Sequence, residues 1–295
     1  MPLSTKASGR VQTLALRRYE LGEGGTAWPT VALLCGALLC QAAAAYAGDS
    51  GLLPVWAAVA LAGACAYAQF TVSHDAAHRS VSRWAWLNDA CGLVATAVLC
   101  GPFDAFRVNH LHHHGHTNDP SEDPDFWVAG TSVVSTVARC ATLFWVHYWV
   151  YFTRLRRPDR AFTRTLTTLA VLAAVAAGGV GAGLGRGMLL YWLLPAQLAG
   201  TALAVLFDYW PHRPHAFRGR LRDTAVVAPR WLDAPMLGQN VHLLHHLHPT
   251  VPWYRYRAAF ERLRPAVAAE GALIWDLPTA LKMLRPGAVL PTRMP

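Results

Sequence analysis

The sequence predicts an all-α integral membrane protein: four transmembrane helices in two hairpins, with interfacial helices and a cytosolic helical cap. Three observations carry this. Hydrophobic residues make up 54% of the 295 positions and charged residues only 15%, against about 25% charged in soluble domains. Four stretches, 29–47, 52–72, 165–184 and 188–207, are apolar over close to the 20 residues or so that a helix needs to cross a bilayer. The basic residues avoid these stretches and collect in the loops and tails between them.

Residues 1–28 are polar and basic and form an N-terminal segment, too long and uneven for a signal peptide. The first span is therefore a retained anchor. Only Gly48-Asp49-Ser50-Gly51 separates it from the second, and only Gly185-Arg186-Gly187 separates the third from the fourth, so each pair reads as a hairpin. Segment 90–103 is apolar but short, which suits a re-entrant or interfacial piece. Segment 132–152 sets Arg139 and His147 among Trp145, Tyr148, Trp149 and Tyr151, the aromatic density of a helix at the membrane surface. A full span stays open for both. Glycines 178, 179, 181, 183 and 185 are expected to let the third span pack closely. From Asp208 the chain turns polar and Pro-punctuated, so 208–295 is the cap, and 29–295 forms one domain.

Lys6, Arg10, Arg17 and Arg18 precede the first span, the middle section and tail hold most other cations, and only Arg186 lies clearly across from them. By the positive-inside rule both termini and the middle section are cytoplasmic, in a cell inner (plasma) membrane. The net charge of +9 thus reports topology, and with no basic stripe nucleic acid is excluded as a partner. Six cysteines contain no C-x-x-C pair, which argues against a zinc ribbon or a disulfide framework.

Fourteen histidines carry the chemistry, and all but His147 fall in four groups. These are His74 and His78; His110, His112, His113, His114 and His116; His212 and His215; and His242, His245, His246 and His248. On a helix, positions i, i+3 and i+4 share a face. His74 and His78 then point one way, as do His110, His113 and His114, and likewise His242, His245 and His246. In the second group His112, His113 and His116 share a face as well, and spacing leaves the two sets open. Eight converging imidazoles exceed the needs of one ion and suit two. Imidazole serves several metals, a zinc hydrolase needs about three histidines, and a redox pair that binds O₂ points to iron. His147, alone, reads as an ordinary hydrogen-bonded residue.

The boxes H-x₃-H, H-x-x-H-H and H-x-x-H-H resemble those of the membrane fatty acid desaturase and hydroxylase superfamily. The match is closer to the desaturase-like β-carotene hydroxylases. It rests on His113-His114 through Thr117-Asn118-Asp119-Pro120 to Asp123-Pro124-Asp125, then Phe207-Asp208-Tyr209 with Pro211-His212-Arg213-Pro214. A third run is Gly238-Gln239-Asn240 through His242, His245 and His246 to Pro252-Trp253-Tyr254 and Tyr256. Together these cover roughly residues 70 to 260. The resemblance implies His110, His113 and His114 as the ligands of the second box. It implies a ninth ligand, His212 with His215 in reserve, and a metal-binding or water-binding role for Asp208. It also implies that Asn240 and Asp75 orient imidazoles through their free N–H groups. His248 stands where these hydroxylases carry an aromatic residue, and the first 70 residues match no motif.

The expected activity is O₂-dependent oxidation of a membrane lipid on two iron ions, foremost hydroxylation of a carotenoid such as β-carotene. The alternative is desaturation or hydroxylation of a fatty acyl chain, and a remote one is a His-rich metal transporter. A transporter places its ligands near the bilayer midplane, whereas these gather at helix ends. No flavin, Fe–S or haem motif is present, so electrons come from a separate carrier such as a ferredoxin with its reductase. An acidic carrier suits Arg154, Arg156, Arg157, Arg218, Arg220 and Arg222.

Overall fold

The computed structural model describes residues 25–289. Lys6, Arg10, Arg17 and Arg18, which bear on orientation, lie outside the described residues. Among the described residues four helices are long and apolar enough to cross a membrane. The first two are α1 (Trp28–Asp49) and α2 (Val55–Ala77). Both are apolar on all sides, as lipid-immersed helices are. Pro29 falls in the first turn of α1, where its missing N–H leaves no bond unmade. Polar links run between the two: Thr30 Oγ1 donates to Asp75 Oδ2 (2.9 Å) and Gln69 Nε2 to the Leu34 carbonyl (3.0 Å). Near the far end, a Cβ on Gly48 would come within 2.7 Å of the Ala58 Cβ. The second helix outruns its expected limit at residue 72 and carries His74 in its last turn, with His78 as its C-cap.

Segment 90–103 is the second half of α3 (Ala85–Val98) and the break before α4 (Phe103–His116). The two axes are bent by 99°. Cys100 has a φ of 60° and Pro102 follows; a left-handed residue and a proline both interrupt helical bonding. Segment 132–152 is α5 (Val133–Val150), begun by Ser132, whose Oγ accepts the Ser135 N–H, and running into a π-helical turn at Tyr151–Leu155.

The third long helix, α6 (Arg160–Gly181), begins five residues before its expected start at 165 because Asp159 caps it, accepting the Phe162 N–H at 3.0 Å. Thr165 is its one buried residue. Its first turns are tethered by Arg164, which reaches Asp89 Oδ2 (2.9 Å) and Asp104 Oδ2 (3.1 Å). The fourth, α7 (Gly185–Tyr209), contains π-helical turns at Leu189–Leu193 and Ala204–Tyr209. The expected glycine packing holds only in part. Gly179 leaves room for Met188, but Gly178, Gly181 and Gly183 have nothing within 4 Å of where a Cβ would stand.

Beyond Tyr209 the chain builds a lobe that is not purely helical. Strand β1 (Ala225–Val227) pairs in parallel with β2 (Leu273–Trp275), Val226 opposite Ile274. Three residues per strand are too few for a period-two signal, which is why the sequence reads as all-α. Three helices complete the lobe: α8 (His242–Leu247), α9 (Tyr256–Ala269) and α10 (Leu277–Met283). Leu243, Leu244 and Leu247 of α8 pack against Phe260 and Leu263 of α9. Trp275 and Met283 join Leu203 and Phe207 of α7, fastening the lobe to the long helices. All six cysteines are free.

Entry into α8 turns on Gly238, whose φ of 77° disfavours a side chain and where a Cβ would come within 2.8 Å of the Trp253 carbonyl oxygen. Gly238→Ala is expected to destabilise the fold by more than about 1 kcal/mol, seen as a lower midpoint in thermal unfolding of the detergent-solubilised protein.

Candidate metal centre

Four chain segments bring the histidine groups together. The end of α2 supplies His74 and His78, the last turns of α4 supply His110, His113 and His114, the segment after α7 supplies His212, and α8 supplies His242, His245 and His246. The Nε2 atoms face one another. His74 lies 3.0 Å from His245, His245 2.8 Å from His114, His114 3.2 Å from His110 and His110 2.7 Å from His78. A second chain runs from His212 to His242 (3.1 Å) and on to His246 (3.2 Å). His74, His78, His110 and His245 form one nest, His113, His212 and His246 another, and His114, His245 and His246 a group across them, each with its nitrogens within 4.8 Å.

A neutral imidazole nitrogen carries either a hydrogen or a lone pair. At His110, His245, His114 and His242 one nitrogen faces two others, so at most one contact of each pair is a hydrogen bond. Cations in the nests would turn these opposed lone pairs into ligands, and the donor set fits two ions of the imidazole-binding kind. Burial, and then the neighbouring imidazoles, hold His245 and His246 well below the usual histidine range and push His242 down to about 3. The rings stay neutral, as metal ligands must be. Burial acts the same way on His113, but the Asp123 and Asp125 carboxylates outweigh it and raise that ring to about 10. Its Nδ1–H lies 2.8 Å from Asp123 Oδ1 and 3.2 Å from Asp125 Oδ2, so the two carboxylates favour the protonated ring, and an ion bound at Nε2 would take the place of the proton there.

Position separates the two sets in the second box, since His110 and His114 face the other groups. His112 and His116 stack on each other at 4.0 Å on the outer side of α4, away from the nests. His215, the reserve for His212, is buried between Phe126 and Tyr209 and joins neither nest. His147 is hydrogen-bonded as expected, its Nε2 2.6 Å from Asp125 Oδ1.

The orienting roles expected of Asn240 and Asp75 need correction. Asn240 Nδ2 donates to the Val227 carbonyl (3.1 Å) and to Asp233 Oδ1 (2.8 Å), a carboxylate also gripped by Arg257 at 2.6 Å. It braces the turn into α8 from behind. Asp75 Oδ2 accepts from Thr30 and from the Trp253 N–H (3.5 Å), joining α2 to α1 and to the lobe. The groups that hold imidazoles are others: Asp123 on His113, the Tyr256 hydroxyl 3.1 Å from His245 Nδ1, and Gln239 Nε2 3.5 Å from His74 Nδ1. Asp123 and Tyr256 sit inside the motif runs already singled out, but no spacing rule pairs them with a given ring.

A cavity of about 740 Å³ ends on the first nest. Phe70, Leu99, Phe106, Phe144, Leu172 and Leu203 give it apolar walls, and His110, Asp125, His147 and Asp208 lie along it. Asp208 stands in the π-helical turn at the end of α7.

Residues 50–278 match the family described as "Fatty acid desaturase". The chain belongs to the fatty acid desaturase family. As a member it is an O₂-dependent oxidoreductase, and the superfamily resemblance of its histidine boxes holds. The carotene hydroxylase branch gains no such support. The chain is 27% identical to the sn-1 oleoyl-lipid 12-desaturase of Picosynechococcus sp., over 86% of this chain and 81% of that protein. It is 29% identical to the protein of the same name from Synechocystis sp., over 86% and 80%. With the dihydrorhizobitoxine desaturase of Bradyrhizobium elkanii it shares 27%, over 74% and 70%.

Two outcomes test whether the facing histidines bind metal. His245→Ala is expected to abolish bound iron and turnover, while His112→Ala and His116→Ala keep both, read by metal analysis of purified protein. Asp123→Ala is expected to weaken metal binding by roughly 10–100-fold, read by competition with a chelator.

Proposed function

We propose that the protein is a diiron acyl-lipid desaturase, acting on a fatty acyl chain instead of the carotenoid expected first. The observation that carries this is the apolar cavity that runs from among the long helices to His110 and Asp208. Its volume suits one flexible chain, within the roughly 300–1,000 Å³ of small-molecule sites. The names of its lipid-desaturating relatives favour the same substrate class.

His74, His78, His110, His113, His114, His212, His242, His245 and His246 are the proposed iron ligands, with Asp208 binding metal or metal-held water at the cavity's end. Bound iron supplies the activation of O₂ for attack on an unactivated C–H bond. The chain's own residues do the rest. Phe70, Phe106 and Leu203 line the end of the cavity near the histidines, align two adjacent methylenes there and exclude bulk water. In the overall change one C–H bond breaks at each of two neighbouring carbons and a C=C bond forms. The two hydrogens leave with two electrons. A carrier supplies two electrons more and solvent two protons, and O₂ departs as two waters.

The remaining proposals concern topology. Residues 29–295 form one membrane domain of two helical hairpins, with the lobe from 208 as a cytosolic cap, in the plasma membrane of a bacterial cell. Both termini and the metal centre face the cytoplasm, because only Arg186 and the turn at Asp49 hold charges at the far ends of the long helices. An acidic ferredoxin-like carrier, with its reductase, docks on the basic surface that includes Arg218, Arg220 and Arg222.

Expression in a bacterial host that makes both unsaturated acyl lipids and β-carotene separates the readings. Fatty acid analysis is expected to show a new double bond while the pigment stays unhydroxylated; hydroxylated pigment with unchanged acyl chains overturns the proposal. A hydroxylated acyl product instead would keep the substrate and change the outcome of the reaction. Leu203→Trp, which fills the cavity, is expected to cut product by about tenfold or more with full iron content.

A further inference from the structure

The reaction proposed above consumes two protons from solvent at a centre whose histidines are almost all buried, and the acyl cavity, being apolar, offers no path for them. A second cleft of about 330 Å³ reaches the same histidines and shares no lining residue with the first. His78, His114 and His246 form its inner wall; Arg220 and Asp223 stand with them.

Asp223 is the unusual member. Its side chain is only 8% exposed, and its Oδ1 is buried with no hydrogen-bond partner. A buried carboxylate oxygen without a partner is costly and is retained where it has work to do. The neighbouring Arg220 guanidinium donates to the Leu247 carbonyl at 3.1 Å and acts on this carboxyl only through its charge. The backbone, by contrast, is held firmly. Asn118, just past α4, donates through Nδ2 to the carbonyls of Asp223 (2.7 Å) and Phe217 (2.9 Å), and the Asp223 N–H meets the Gly219 carbonyl at 3.0 Å. The loop thus fixes this carboxyl beside the second histidine box. Burial raises its pKa to about 6, against the pull of His113, of the Asp223 and Thr224 backbone N–H groups and of Arg220, so that it can both hold and release a proton near neutrality.

We infer that Asp223 is the proton-relay residue of the centre, carrying solvent protons through the polar cleft while the lipid occupies the apolar one. It takes a proton from water on the outer side of the cleft, gives it up on the histidine side as O₂ is reduced to water, and is recharged from solvent. The electrons come from the carrier and the substrate, never from Asp223. The relay rests on the O₂-dependent diiron reading but not on the identity of the lipid.

The test uses the full-length, iron-loaded protein in nanodiscs of bacterial phospholipid, chemically reduced and then mixed with O₂. Reoxidation is followed by absorbance and proton uptake by a pH-indicator dye. Asp223→Asn and Asp223→Ala are expected to slow both by about tenfold or more with iron content unchanged. Asp223→Glu should recover most of the rate, and added formate, a small diffusible acid, should rescue Asp223→Ala but not the wild type. Unaltered kinetics in Asp223→Asn, loss of iron from it, or failure of formate to rescue Asp223→Ala would each overturn the relay. Acyl chains are analysed in the same samples. Asp223-dependent reoxidation with no new double bond would sink the substrate reading and leave the relay standing.

Discussion

Everything in this fold answers to the opposition of imidazole nitrogens at its centre. Eight rings turn Nε2 toward one another at separations down to 2.7 Å, an arrangement that neutral imidazoles alone cannot satisfy. It stands because the rings are held from outside the nests. Asp123 takes Nδ1 of His113, the Tyr256 hydroxyl that of His245, and Gln239 reaches toward that of His74.

That requirement explains the architecture around it. The histidines come from segments far apart in the chain, so the elements carrying them must be locked together. Asp75 ties α2 to α1 and to the lobe, the Asp233 carboxylate joins Asn240 to Arg257 behind α8, and Trp275 and Met283 anchor the lobe on the end of α7. Polar residues in the last turns of α2 and α7, which would be expensive in lipid, are covered by the lobe. The long helix α6, by contrast, carries no histidine and is almost wholly outward-facing. It contributes Leu169 and Leu172 to the cavity wall, and near its start it is held by the Arg164 ion-pair cluster and by the Thr165 hydroxyl, 3.2 Å from that of Tyr151.

The two cavities divide the chemistry by polarity. One is walled by aromatic and aliphatic side chains and runs among the long helices; the other is framed by Arg220, Asp223 and imidazoles. A centre with an apolar face and a polar face can receive a lipid and small hydrophilic species without either crossing the other's path. Desaturase relatives of this chain include proteins named for oleoyl lipid and one named for dihydrorhizobitoxine.

By itself the sequence determined the long apolar helices and the histidine-bearing faces, because both are periodic features of local backbone geometry. Hydropathy over some twenty residues and an i, i+3, i+4 pattern need no partner to be read. The helix ends were less legible: Asp159 extends α6 and the run of α2 to Ala77 depends on packing beneath the lobe. That His110 and His114 face the other histidine groups while His112 and His116 do not, and that His212 joins them while His215 does not, is visible only in three dimensions. Both alternatives share a helical face or a segment, and what separates them is which side meets the other histidine groups. The same holds for Asp123, Tyr256 and Asp223, whose partners lie on other elements. Residue spacing carries direction along one helix, whereas coordination requires several helices to converge on one point, and only the packed chain contains that information.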